Sequence, residues 1–338
     1  MKILVLGGTV FLGRAFVEKA LSEGHQLTLF HRGQHGADLF PEARHVLGDR
    51  DGGLGALPDE QWDAVVDCCG YFPRVVRQSA EHLLDRVGRY LFVSTISVYA
   101  DPGATHQDES YPVGVIDDPS VEEITGESYG PLKALCEAEV LNAYGSQGLV
   151  IRPGLIAGPF DPTNRFTYWA DRFAQGGRLI VPDRLEQPFQ MIDVRDLAAF
   201  MLKGLRDELQ GTFNVTGPDC VSTLRDMVFV LSSVCPEAVP VPVPEALLKE
   251  HEIAFWQDLP LTLSADDQAD GMMRVNIDRG MSAGLSFRPW AETARDTHDW
   301  STKNPNPQPR HGLDSAKEDA VLKALDELGQ LTADSPAT

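Results

Sequence analysis

The chain is short of cysteine and of basic residues, and it has no long apolar run. Its five cysteines, Cys68, Cys69, Cys136, Cys220 and Cys235, form an odd set without C-x-x-C spacing. No histidine lies at ligand spacing from them, so neither a disulfide framework nor a metal site is expected. Nowhere do 18 apolar residues follow one another, and the first residues read as a core strand. Neither a membrane span nor a signal peptide is expected, and a cytoplasmic location follows. Lysine and arginine number 29 against 50 acidic residues, a formal charge of -21. Such a surface repels polyphosphate, which argues against nucleic acid and anionic membrane as partners. At 338 residues the chain exceeds the size at which one core stops growing, so two lobes are expected.

What is present begins at the amino end. Ile3 to Leu6 is a continuous apolar run, as a strand buried on both faces requires, and glycines begin where it stops. Phe11, Leu12, Ala15, Phe16, Ala20 and Leu21 recur at helical spacing, Gly24 is a stop, and Leu27 to Phe30 resumes as a strand. In this βαβ unit Gly7 permits a tight turn and Gly8, beside Thr9, clears space for a pyrophosphate. Gly13 lets the helix pack close, so that the backbone at Phe11, Leu12 and Gly13 meets the anion. A dinucleotide site follows. An NAD site places an acidic residue at the end of the second strand, whereas arginine suits a 2′-phosphate. Here His31 and Arg32 stand there without a carboxylate, which favours NADP, with NAD the alternative.

Further along, His45 to Asp51 reads as a short strand ending in a polar turn, where Asp49 is a candidate acceptor for an adenine amino group. Ala64 to Asp67 is the next strand. The small residues Cys68, Cys69 and Gly70 follow it, where backbone must pass a cofactor closely. Val75 to Val87 supplies a helix and Tyr90 to Ser94 a strand, and the alternation indicates a parallel, doubly wound sheet with ligands at the carboxyl ends of its strands. Between Tyr90 and Leu132 there is no lysine or arginine; this acidic stretch is a lid, a substrate wall or a solvated loop. Tyr129 and Lys133 then lie one turn apart on one helix face, with Pro131 in the first turn. A lysine ammonium favours the phenolate, and with the Thr95 hydroxyl across from it the pair suits proton transfer to a substrate oxygen while hydride moves.

These residues resemble the extended short-chain dehydrogenase/reductase superfamily of the NAD-dependent epimerase/dehydratase type, over about residues 1 to 300. Gly7-Gly-Thr-Val-Phe-Leu-Gly13 is similar to its glycine signature, and Gly48-Asp49, followed by Arg50, to its adenine-side motif. The resemblance implies that Thr95, Tyr129 and Lys133 are catalytic. It also implies that Pro153, Gly154, Leu155 and Ile156 lie on the strand leading from cofactor to substrate. Val10 stands where the common signature has its middle glycine. Thr95 lacks the following Asp-Glu pair of sugar dehydratases, which disfavours dehydration. Pro188-Phe189-Gln190 replaces an arginine that often binds a nucleotide diphosphate, although Arg184 and Arg195 are substitutes.

The implied architecture is α/β, a Rossmann-type doubly wound parallel sheet with a smaller α/β C-terminal substrate lobe. Residues 1-157 form the nucleotide domain, with 189-217 returning to it; 158-188 and 218-302 form the substrate lobe. The rest, 303-338, is a linker, a helix over about Ser315 to Leu328 and a disordered end from Thr332. Phe166, Tyr168, Trp169 and Phe173 read as lobe core or as a ring-binding wall, Val239 to Pro244 as an extended connector, and Leu247 to Trp256 as a helix. The expected activity is an NAD(P)-dependent oxidoreductase acting on a secondary alcohol or ketone of a sugar-like small molecule, in a monomer or homodimer. An epimerase that keeps its cofactor is the alternative. A non-catalytic NADP sensor or RNA-associated protein, as described for a related plastid branch, is another.

Overall fold

The computed structural model describes residues 1–306 and 309–333. In order, the chain runs through β1 (Lys2–Leu6), α1 (Phe11–Ser22), β2 (Gln26–His31), β3 (Arg44–Leu47), β4 (Trp62–Asp67), α2 (Pro73–Leu83) and β5 (Val87–Val93). After a long loop come α3 (Tyr129–Tyr144), β6 (Gly148–Pro153), β7 (Leu155–Ala157), α4 (Arg165–Ala174), β8 (Gly177–Pro182), β9 (Met191–Asp193), α5 (Val194–Arg206) and β10 (Gly211–Val215). The remainder holds α6 (Leu224–Val234), β11 (Ala238–Val243), α7 (Glu245–Glu250), α8 (Asp278–Ser282), α9 (Trp290–Lys303) and α10 (Ser315–Ala333). Met1–Ile156, Gln190–Asp219 and Gly271–Phe287 form one compact unit; Ala157–Phe189, Cys220–Asp270 and the residues from Arg288 onward form another. No helix among the described residues is long and apolar enough to cross a membrane.

The first unit is built on seven parallel strands in the order β10-β6-β5-β4-β1-β2-β3. The central strands bury both faces, which explains their apolar runs, while the edge strand β3 is partly exposed. Ile3 and Val5 face α1 and α5 with Phe16, Leu197 and Met201. Leu4 and Leu6 face the opposite way, with Val76, Leu83 and Val140 of α2 and α3. The strand order reverses between β1 and β4, which opens a crevice at their carboxyl ends. Helix α2 stops at Leu83, earlier than the apolar spacing suggests, because Val87 opens β5 opposite Trp62. Residues 271–287, expected in the substrate lobe, fold with this unit instead. The Asn276 carbonyl accepts from Asn214 of β10 at 2.9 Å, and Val275 exchanges two hydrogen bonds with Gln190.

In the second unit Phe166, Trp169 and Phe173 are buried along one face of α4, and the Trp169 indole donates to the Pro260 carbonyl at 2.6 Å. These aromatics are lobe core. Val239 to Pro244, expected as a connector, supplies β11, which pairs in parallel with β8. The prolines are tolerated because a two-stranded sheet consists only of edges, and they alternate with valines whose N–H groups remain available. Helix α7 ends at Glu250, short of the expected Trp256, since Glu252 and Trp256 both adopt left-handed backbone. Helix α10 is held by Glu318, which accepts from Arg172 at 2.7 Å and from the Ile180 N–H at 3.0 Å. It runs on to Ala333, so Thr332 is helical rather than part of a disordered end; residues 334–338 of that end and residues 307–308 of the expected linker lie outside the described residues.

Candidate active site

The turn after β1 is a left-handed pair, with φ of +99° at Gly7 and +98° at Gly8. Side chains are excluded there on two counts, because a Cβ on Gly8 would also press on Val5, Leu29 and Val17. Gly13 allows α1 to touch the turn: a Cβ on it would lie 2.9 Å from both Cα and N of Gly8. Val10 precedes the helix in extended backbone, φ -127°, and provides no side-chain cap. Backbone conformation therefore does not call for a glycine at Val10, and the first amides of α1 are left for an anion. Gly13→Ala is expected to weaken nicotinamide-nucleotide binding at least about tenfold and to cost about 1–3 kcal/mol, read by fluorescence titration and urea melts.

At the end of β2, the donor pattern fixes two imidazoles. His31 Nδ1 accepts the Gly33 N–H at 3.1 Å, so its proton sits on Nε2, which donates to His45 Nδ1 at 2.8 Å. His45 Nε2 then donates to the Phe40 carbonyl at 3.2 Å. Burial, with His45 adding to it, pushes the His31 pKa down. Arg32 beside them is exposed, and no ion pair among the described residues uses it. Asp49 tightens the following turn by accepting the Asp51 N–H at 3.0 Å.

Arg50 points elsewhere than its place beside the adenine-side motif suggests. Its Nη1 and Nη2 meet the two carboxylate oxygens of Asp67 at 2.6 and 2.7 Å, and Nη2 also donates to Ser79. Asp67 further accepts the Tyr90 hydroxyl at 2.8 Å and the Cys69 N–H at 3.1 Å. Burial alone would raise the Asp67 pKa, but Arg50 and these hydrogen bonds hold it below the carboxylate range. The guanidinium thus fixes the carboxyl end of β4 and, through it, the Cys68-Cys69-Gly70 floor. Gly7 lies on that floor, its Cβ direction 3.7 Å from Cys69 Sγ. Burial raises both thiol pKa values, so neither cysteine is a poised nucleophile.

Lys133, Tyr129 and Thr95, expected as the catalytic residues, lie on α3 and on the segment that follows β5. Lys133 is 3% exposed and donates from Nζ to the carbonyls of Gly70 at 2.6 Å and Val93 at 2.7 Å, over the Phe92 ring. Burial pushes its pKa down to about 8. Gly130 brings α3 against the segment after β5, since a Cβ there would meet the Ser97 carbonyl at 2.0 Å. That contact brings the start of α3, where Tyr129 is half-buried, against the segment that carries Ser97. Thr95 Oγ1 accepts the Ser97 N–H and donates to Ser97 Oγ, both at 3.1 Å. Pro153, Gly154, Leu155 and Ile156 continue from β6, and Gly154 faces the Thr216 hydroxyl, where a Cβ would collide at 2.4 Å. The buried hydroxyls of Ser94 and Thr216 have no protein partner.

Asp67, Tyr71, Ser94 and Thr216 do not stand out as site residues in the sequence. Only Asp67 left a signal there, as a carboxylate closing the apolar run Ala64–Val66, which requires a cation from elsewhere. An uncapped helix end, a glycine cradle and unpartnered hydroxyls at the strands' carboxyl ends fit a dinucleotide.

Comparison with known proteins agrees with this geometry. The chain is 28% identical over 263 residues to the chloroplast stem-loop binding protein of 41 kDa b of Arabidopsis thaliana, covering 72% of this chain and 65% of that protein. It is 26% identical over 292 residues to a dTDP-6-deoxy-L-talose 4-dehydrogenase (NAD(P)(+)) of Kitasatospora kifunensis, covering 78% and 89%. Its fold matches a UDP-glucuronic acid 4-epimerase of Bacillus cereus solved with NAD, at a TM-score of 0.65 and 14% identity, over 90% of this chain and 100% of that one. The model of the NAD dependent epimerase/dehydratase family matches residues 3–216, and the chain belongs to that family.

Proposed function

We propose that the protein is an NADP-linked oxidoreductase that interconverts a secondary alcohol and its ketone in a sugar-like small molecule. The observation that carries this reading is the enclosed Lys133, one helical turn from Tyr129, gripping the backbone at the carboxyl ends of two strands. Gly7, Gly8 and the first amides of α1 would hold the pyrophosphate, and Lys133 the nicotinamide side. When bound, the nucleotide supplies or accepts hydride. Tyr129 gives its proton to the carbonyl oxygen as the ketone is reduced and takes it back in oxidation; the charge on Lys133 favours the phenolate left behind. Thr95 would line the same pocket.

Reduction of a dTDP-4-keto-6-deoxyhexose with NADPH tests the reading, that sugar being the ketone form of the compound named for the Kitasatospora relative. Stoichiometric loss of NADPH supports it. Isomerised sugar without net loss of NADPH would point to an epimerase that retains its cofactor, and absence of any turnover would count against both. The stem-loop binding named for the chloroplast relative is disfavoured here by a net charge of -21.

The preference for NADP rests on Arg32, which follows His31 at the end of β2 where the sequence has no carboxylate. Arg32→Ala is expected to weaken NADPH about tenfold or more, the worth of a charge-assisted phosphate contact, and to leave NADH binding nearly unchanged. Paired fluorescence titrations decide it. Equal losses for both nucleotides would remove the 2′-phosphate from the account.

A further inference from the structure

The crevice holds a second phenol. Tyr71 follows Gly70, whose carbonyl Lys133 grips, and its ring lies 5.5 Å from Lys133 Nζ. Lys133 is enclosed, yet Tyr71 is 47% exposed, and no hydrogen bond among the described residues uses its hydroxyl. The Thr95 proton is directed at Ser97. From this placement we propose that Tyr71 is a catalytic residue whose hydroxyl donates a hydrogen bond to the same substrate oxygen that Tyr129 protonates.

This deepens the oxidoreductase reading and rests on it. Burial and the nearby Tyr129 push the Tyr71 pKa up to about 12, so Tyr71 stays a donor while Tyr129 exchanges its proton. In reduction, hydride adds to the carbonyl carbon and the C=O π pair moves onto oxygen. Tyr129 supplies the proton to that oxygen, and Tyr71 keeps its own while stabilising the charge as it develops.

With NADPH and the dTDP-4-keto-6-deoxyhexose, Tyr71→Phe is expected to lower kcat about a hundredfold, as loss of one oxyanion donor does, while KM and NADPH affinity move less than about threefold. The pH dependence of kcat keeps its shape, since the lost group does not titrate there. A kcat within about threefold of wild type overturns the proposal. Placement is tested without turnover by nitration with tetranitromethane and peptide mass spectrometry. Saturating NADPH should suppress nitration at Tyr71 about tenfold or more, the protection expected where a bound ligand covers most of a site. Nitration indifferent to NADPH overturns the proposal even where the sugar proves a poor substrate.

Discussion

Asp67→Asn is expected to cost the protein about 3–5 kcal/mol, the penalty of stranding a buried charge. The carboxylate is wholly enclosed and faces four donors: two guanidinium nitrogens, the Tyr90 hydroxyl and the Cys69 amide. An amide has one acceptor oxygen, and its NH2 would be turned toward donors. Arg50 would keep at most one bond to the amide oxygen beside the neutral Ser79 hydroxyl and Cys69 Sγ. Urea unfolding should show a lower midpoint with an unchanged slope. The double variant Arg50→Met, Asp67→Leu should recover most of the loss, because apolar replacements leave no charge unpaired.

The sign of the pH dependence follows from the depressed pKa of Asp67. In the unfolded chain the group titrates near about 3.9, and in the folded chain it titrates lower. Its contribution is therefore complete above about pH 4 and disappears as pH falls through the folded value. The stability gap between wild type and Asp67→Asn should close on acidification. A constant gap would mean that the pair stabilises through shape alone.

What the sequence discloses is mostly local. Left-handed backbone at Gly7 and Gly8 and the close approach at Gly13 are properties of a few neighbouring residues, so the turn and the βαβ unit are legible in the first 32 positions. Tyr129 and Lys133 are legible for the same reason, being one turn apart. The Arg50–Asp67 pair is not, since 17 positions and a strand separate its members. Nor is the return of residues 271–287, which depends on Asn214 and Gln190 more than 60 residues away. Strand β11 was hidden by its prolines, which betray an edge only once the partner strand is known. Tyr71 carries no motif at all; its standing comes from where Lys133 reaches.

Tyr129→Phe should lower kcat by about 10²–10⁴-fold, the range for a lost general acid, with nucleotide affinity and stability near wild type. The ring remains and only a half-buried hydroxyl is removed. Lys133→Met separates the two members of the pair. It should also lower kcat, but with a change in stability that depends on pH. Lys133 titrates at about 8 in the folded chain and near about 10.4 unfolded. Between those values the unfolded state binds more protons, so the contribution of this lysine to stability rises with pH; below about 8 its buried charge opposes folding. The stability of wild type relative to Lys133→Met should therefore climb between about pH 8 and 10, with Tyr129→Phe showing the same climb. If the methionine variant tracks wild type across that window, Lys133 keeps an ordinary pKa and its charge is not enclosed, and the phenolate at Tyr129 then lacks the field on which the proposed chemistry depends.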